Sequence, residues 1–178
     1  SATFYNRDFR QRCKQANLIL CKTEITRKQV PQKYADKAIL FTDVAADIVN
    51  TSRVSQKKNN TIEFITVGHL DAWRGFDLII EAMAEVMKEN THLHLTIIGD
   101  GTDKKRLEEL IKRFKLEETV ALTGKVPMKT YKIMMDRADV VINAALKEGA
   151  VTVSFDCMAM GKPLICLDTT GYTRYFTN

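Results

Sequence analysis

From Ile62 onward the chain alternates short apolar runs with longer stretches in which apolar residues recur every three or four positions. IEFITV (Ile62 to Val67) reads as a strand, and Phe76, Ile79, Ile80, Met83, Val86 and Met87 then mark one face of a helix with a 3.6-residue period. HLTII (His94 to Ile98) is the next strand, followed by a helix with Leu107, Leu110, Ile111 and Phe114 on one side. VALT (Val120 to Thr123), a short helix over Met128 to Arg137 and DVVIN (Asp139 to Asn143) continue the alternation. A last helix is expected from about Thr152 to Met160, stopped by Gly161 and Pro163, before the fifth strand PLICL (Pro163 to Leu167). Near-continuous apolar strands separated by amphipathic helices predict an α/β domain: a Rossmann-like parallel sheet with helices on both faces.

The first third is less regular. A helix over residues 6 to 15, a strand at Asn17 to Cys21, a helix over Glu24 to Tyr34 and a strand at Lys37 to Phe41 are expected. VNTSRVSQKKNNT is polar and poor in large apolar groups, which suits a linker. The organisation predicted is therefore one unit over 1–48, a linker over 49–61 and a second unit over 62–178.

Composition narrows the class. With 178 residues, 45% of them hydrophobic, the chain can bury one full core and part of another. The four cysteines (Cys13, Cys21, Cys157, Cys166) form no CxxC, and the last two lie in apolar segments, as expected of core thiols in a reducing compartment. No apolar run reaches the roughly 20 residues of a membrane-spanning helix and no signal-peptide pattern opens the chain, so a cytoplasmic location is expected, with a peripheral membrane contact left open. Residues 1–60 carry 12 Lys and Arg against 5 Asp and Glu, a surplus of +7, whereas 61–178 carry 15 against 17, or −2. The basic front has little aromatic interleaving, which argues for a solvated face and against nucleic acid.

Ligands of open parallel sheets sit outside the carboxyl ends of the strands, where loops lead into helix N-termini. The loop after DVVIN holds Glu148, and Asp156 follows eight positions later inside the expected helix. Between them Gly149, Ala150 and Val151 offer backbone N–H groups at the positive end of a helix dipole, a good seat for a phosphate. Each acid could accept from hydroxyls on one side of a diphosphate. On spacing alone the two acids equally suit a solvated loop and helix surface. Three further segments sit at strand ends: VGHLDAWRG (Val67 to Gly75), IIGDGT (Ile97 to Thr102) and TGKVP (Thr123 to Pro127). The Gly-Asp-Gly at Gly99 to Gly101 does not complete a dinucleotide fingerprint, because Lys104 stands where the third glycine belongs. His92 and His94 share a strand face but have no third ligand nearby, so no metal site is expected. Met134, Met135, Met158 and Met160 read as packing residues, and Trp73 as either a loop packing residue or part of the lining of a ligand cleft.

Taken in order, these segments resemble the donor-binding half of the family-4 GT-B glycosyltransferases. That family reads V-G-R-L-x-x-x-K-G, I-x-G-x-G, G-x-V-P and E-G-F-G-x-x-x-x-E-A-M-A-x-G-K-P-V-I, and the similarity covers about Ile62 to Gly171. The resemblance implies that Glu148 contacts hydroxyls of the donor sugar and Asp156 those of the ribose, with Gly149, Ala150, Val151 and Thr152 lending amides to the diphosphate. It implies that Arg74 clamps a phosphate, above the tight turn at Gly68. Lys125 and Val126 would wall in the nucleobase, and Gly99 and Gly101 would let their loop pass close to the site. Glu148 and Arg74 are the residues expected to act in catalysis. The sequence departs from the pattern at His69, which replaces an always-charged Arg in the donor site, at Asp156, one methylene shorter than Glu, and at Ala150 and Val151.

Residues 7–42 loosely resemble the end of the acceptor-binding domain, which implies a fragment of the C-terminal half of a GT-B enzyme. By implication the parent transfers a hexosyl group from a UDP- or GDP-sugar to a glycan or lipid-linked acceptor held by the missing N-terminal domain, with retention, without a metal and without a further cofactor. The fragment alone would bind donor at most. The alternative is a non-catalytic nucleotide- or polyanion-binding module on the same fold.

Overall fold

The computed structural model describes residues 7–41, 60–146 and 152–168. The expected linker falls almost wholly outside them.

Two parallel strands, β1 (Ile19–Cys21) and β2 (Ala38–Leu40), form the first sheet, accompanied by helices α1 (Arg7–Gln15) and α2 (Glu24–Gln29). Its small core is Cys13, Cys21, Val30 and Ala38, with Phe9, Ile19 and Tyr34 packed against it. Thr23 starts α2 with a reciprocal cap: its hydroxyl accepts from the Thr26 amide at 3.1 Å, and the Thr26 hydroxyl accepts from the Thr23 amide at 3.0 Å. The helix expected to run to Tyr34 stops at Gln29, and a 3-10 turn over Gln32–Lys37 replaces its second half. Pro31 is the cause, since it lacks an N–H and pushes Val30 into the extended conformation seen there (ψ 130).

The second sheet is the predicted one. Strands β3 (Ile62–Val67), β4 (Leu93–Ile98), β5 (Val120–Gly124), β6 (Val140–Asn143) and β7 (Leu164–Cys166) lie in the order β5-β4-β3-β6-β7, all parallel. Helices α3 (Phe76–Val86) and α4 (Lys104–Arg113) cover one face, where Ile79, Ile80, Leu107 and Ile111 meet Leu95 and Ile97. Helices α5 (Met128–Arg137) and α6 (Thr152–Ala159) cover the other, where Met135, Val153 and Cys157 meet Ile65, Ile98 and Val141. Alternate residues of one strand thus feed two cores, as a two-period strand requires.

Several apolar residues expected to pack are exposed, Val86, Met158 and Trp73 among them. Val86 is exposed because the stripe through Phe76, Ile79, Ile80 and Met83 comes round to Met87, which packs on the core. Met158 lies about 100° round the helix from buried Cys157, so it faces out while Met160 packs.

The chain enters this sheet at its centre. From β3 it steps outward through β4 to β5 and then returns to β6 and β7 on the other side. Loops after β3 and β6 therefore leave in opposite directions, and a crevice opens at their carboxyl ends.

Candidate functional site

The loops that follow β3, β4 and β5 are joined to one another through their backbones. Gly68 donates to the Ile98 carbonyl (3.0 Å), Leu70 to Asp100 (3.0 Å), Asp103 to Leu70 (2.9 Å) and Gly99 to Gly124 (3.0 Å). Such closeness forbids side chains at the crossing point. A Cβ on Gly99, whose φ is +152, would stand 1.8 Å from the Gly68 carbonyl oxygen. Gly75 plays the same part toward the loop after β6: its φ is +69, and a Cβ there would lie 2.2 Å from the Ala144 carbonyl oxygen. Leu146 then donates to the Trp73 carbonyl at 2.9 Å, tying the two diverging loops. Opposite β4, the register of β5 slips between Ile97 and Ile98, so that Thr123 is the bulged residue and the chain is re-aimed into Lys125.

A cleft of about 550 Å³ opens over these loops. Gly68, His69, Arg74, Gly99, Lys125, Val126, Thr152 and Asp156 all line it. Residues drawn from four separate stretches of sequence are therefore brought to one place. Glu148, Gly149, Ala150 and Val151, the other expected site residues, lie outside the described residues.

Arg74 holds its guanidinium carbon 4.4 Å from the centre of the Trp73 ring, a stacking contact that leaves a planar cation beside the cleft. Trp73 thus acts as a platform for the arginine. His69 is half exposed, with Nδ1 3.3 Å from the Asp71 carboxylate, and Lys125 is exposed at the rim. Asp100 turns its carboxylate onto its own loop and accepts from the Gly101 amide at 2.9 Å.

Tyr131 also lines the cleft, and the sequence reading missed it. Its hydroxyl donates to Asp156 Oδ2 at 2.6 Å. Burial, and next the contact with Asp156, push the phenol far above its usual range, so the proton stays on oxygen. In sequence Tyr131 sits among the apolar positions of a short helix and its partner is 25 positions away, so no local signal marks it.

Lys162 secures the same two helices at their other end. Its ammonium donates to the carbonyl of Ala138 at 2.9 Å and to that of Asp136, capping the end of α5 where the helix dipole is negative. Cys157 in turn donates its thiol to the Lys162 carbonyl at 3.0 Å. Burial pushes that thiol up to about 11, which leaves it protonated and unreactive at neutral pH. His94, considered above as half of a metal pair, has Nδ1 2.9 Å from Glu63 Oε2.

A family model for glycosyl transferases group 1 matches residues 47–178. The chain belongs to this family. Among curated relatives of the glycosyl transferases group 1 kind, an alpha-D-kanosaminyltransferase of Streptomyces kanamyceticus is 30% identical over 108 residues, covering 61% of this chain and 28% of that protein. A putative colanic acid biosynthesis glycosyltransferase, WcaL of Escherichia coli, is 29% identical over 110 residues, covering 58% of this chain and 27% of that one. The chain thus spans well under half the length of these relatives. In fold it matches GT-B glycosyltransferases. Crystalline Anabaena HepE in complex with UDP and glucose superposes with a TM-score of 0.76 at 18% identity, over 92% of this chain and 47% of HepE. Staphylococcus aureus TarM, crystallised with fondaparinux, alpha-GlcNAc-glycerol and UDP, gives 0.77 at 18% identity, over 95% of this chain and 34% of TarM. Among the described residues of this group 1 chain, no helix is long and apolar enough to cross a membrane.

Proposed function

We propose that this chain is the donor-binding part of a glycosyltransferase that moves a hexosyl group from a UDP- or GDP-sugar to a glycan or lipid-linked acceptor. Retention at the sugar and independence from metal belong to the same proposal, as does the absence of any cofactor beyond the donor. The observation that carries it is the cleft at the strand ends, which gathers Arg74, Lys125 and Asp156 around glycine-built loops. The UDP complexes of HepE and TarM support a nucleotide as the ligand of such a fold.

The chemistry follows from the charges. As the glycosidic bond to the donor breaks, negative charge collects on the departing diphosphate. A guanidinium already held in place by Trp73 stabilises that charge more in the transition state than in the bound donor. Arg74 takes this role, with the backbone amides of Gly149, Ala150, Val151 and Thr152 as its partners. Glu148 accepts from hydroxyls of the transferred sugar, and Asp156 accepts from the ribose. Val126 and Lys125 border the base, and His69 lines the same cleft. The acceptor and the groups that activate it belong to a second domain.

Calorimetric titration with UDP, GDP and their hexosyl derivatives tests this. Expected is micromolar binding that depends on the sugar, with Glu148→Ala lowering affinity for the nucleotide sugar about tenfold and for the bare diphosphate little. A second reading, a non-catalytic nucleotide- or polyanion-binding module, draws on a hollow of about 360 Å³ in the first unit, lined by Arg7, Arg10, Lys14 and Lys33. Binding of polyphosphate or heparin alone, indifferent to Glu148→Ala, would establish that reading and remove the first.

A further inference from the structure

We infer that Tyr131 is the positioning residue that makes this cleft selective for a nucleotide with an intact ribose diol, by holding the Asp156 carboxylate against the wall so that Oδ1 is presented to the two hydroxyls. The inference rests on the reading of the cleft as a nucleotide-sugar site with Asp156 toward the ribose, and adds to it the residue that positions that carboxylate.

Three observations carry it. Both side chains line the same cleft, and the Tyr131 hydroxyl donates to Oδ2 of Asp156 at 2.6 Å, the short distance of a bond to a charged acceptor. One carboxylate oxygen is thereby occupied and the plane of the group is set, which leaves the second oxygen as a directed acceptor. The phenol is also a committed donor: its burial keeps the proton on tyrosine, so Asp156 faces the cleft as an acceptor. Finally, the two helices that carry the pair cannot slide apart freely. Their far ends are joined where Lys162, just beyond α6, donates to the carbonyls of Asp136 and Ala138 at the end of α5.

The length of the side chain gives the arrangement its purpose. Aspartate reaches one methylene less far than glutamate, and a short arm that rotates freely about two torsions presents its oxygens poorly. Fixing one oxygen removes that freedom before the ligand arrives, so less conformational entropy is lost on binding. A ligand lacking the diol gains nothing from the fixed oxygen and leaves it without a partner hydroxyl.

The test compares UDP with 2′,3′-dideoxy-UDP, and GDP with its dideoxy counterpart, by calorimetry on the 178-residue chain. The unmodified chain is expected to prefer the diol about tenfold or more. In Tyr131→Phe the preference should fall at least threefold while binding of the dideoxy nucleotide stays within about twofold. Tyr131→Phe combined with Asp156→Glu should recover most of the preference, because the longer arm reaches the diol without the tyrosine. Circular dichroism melting of each variant controls for folding. UDP or GDP bound with no preference for the diol, a Tyr131→Phe variant with the original preference, or equal weakening of diol and dideoxy forms would each overturn the inference while leaving the nucleotide-sugar reading in place. No binding of any of the four nucleotides would overturn both.

Discussion

The cleft has two walls built by different means. The wall formed by the loops after β3, β4 and β5 is knit by backbone hydrogen bonds from Gly68, Leu70, Gly99 and Asp103, with glycine where main chains touch. The wall formed by α5 and α6 is pinned by side chains, Tyr131 on Asp156 at one end and Lys162 on two carbonyls at the other. A backbone-built wall tolerates almost any side chain that points outward and no Cβ at the crossing. A side-chain-built wall keeps its shape through a few polar groups, each of which can be removed by one substitution. The first kind fixes where the ligand lies, and the second is where preference among ligands can be adjusted.

The largest effect expected from breaking this contrast is at Gly99. Gly99→Ala forces main chains apart, because the added carbon collides with the Gly68 carbonyl at 1.8 Å. A loss of about 3 kcal/mol or more in urea denaturation is expected, with nucleotide binding lost in parallel. A stable variant that still binds would show that the two loops can part at little cost. Next comes Arg74→Ala, which removes the cation stacked on Trp73 and leaves the wall intact. UDP or GDP affinity should drop roughly 10- to 100-fold with a melting temperature within a few degrees of the parent, as for the loss of one charge-assisted contact to phosphate. Smaller still, Lys162→Met removes the tie at the far end of the helix wall and leaves two carbonyls at the end of α5 without their cation. About 1 to 2 kcal/mol of stability should be lost, and unchanged stability would mean that α5 is held by its apolar contacts alone.

The smallest effect is acidic. The hydrogen bond from Arg106 holds the Asp103 carboxyl below its usual range, and Arg106 also reaches Asp77 at 3.1 Å, joining the starts of α3 and α4 behind the backbone wall. A depressed carboxylate contributes stability at neutral pH that disappears as pH falls through its folded value. Melting temperatures measured from pH 7 down to about 2 should fall less steeply at the acid end in Arg106→Gln than in the parent, and parallel curves would show that the pair contributes nothing.

Most of the second unit could be read from periodicity, because the apolar patterns of its strands and helices largely follow their burial, with Val86, Met158 and Ile165 as exposed exceptions. The glycines at strand ends were legible as close-approach positions, although their neighbour turned out to be another loop of the chain. What escaped was contact between distant positions. Nothing near Tyr131 in the chain announces Asp156, and Lys162 reads as one more basic residue until the end of α5 is seen beneath it. The break in the helix after Gln29 was a different case, since Pro31 stated it locally. The side chains of the described site residues converge as their strand-end positions suggested, and the ligand roles assigned to them stand as proposals.

The interlocked loops have a further consequence for solvent exchange. The amides of Gly68, Leu70, Gly99 and Asp103 each donate into a neighbouring loop. None can trade its proton for deuterium until two loops separate, so the four should be labelled together, at one rate set by a common opening, and slow as a group when the cleft is filled.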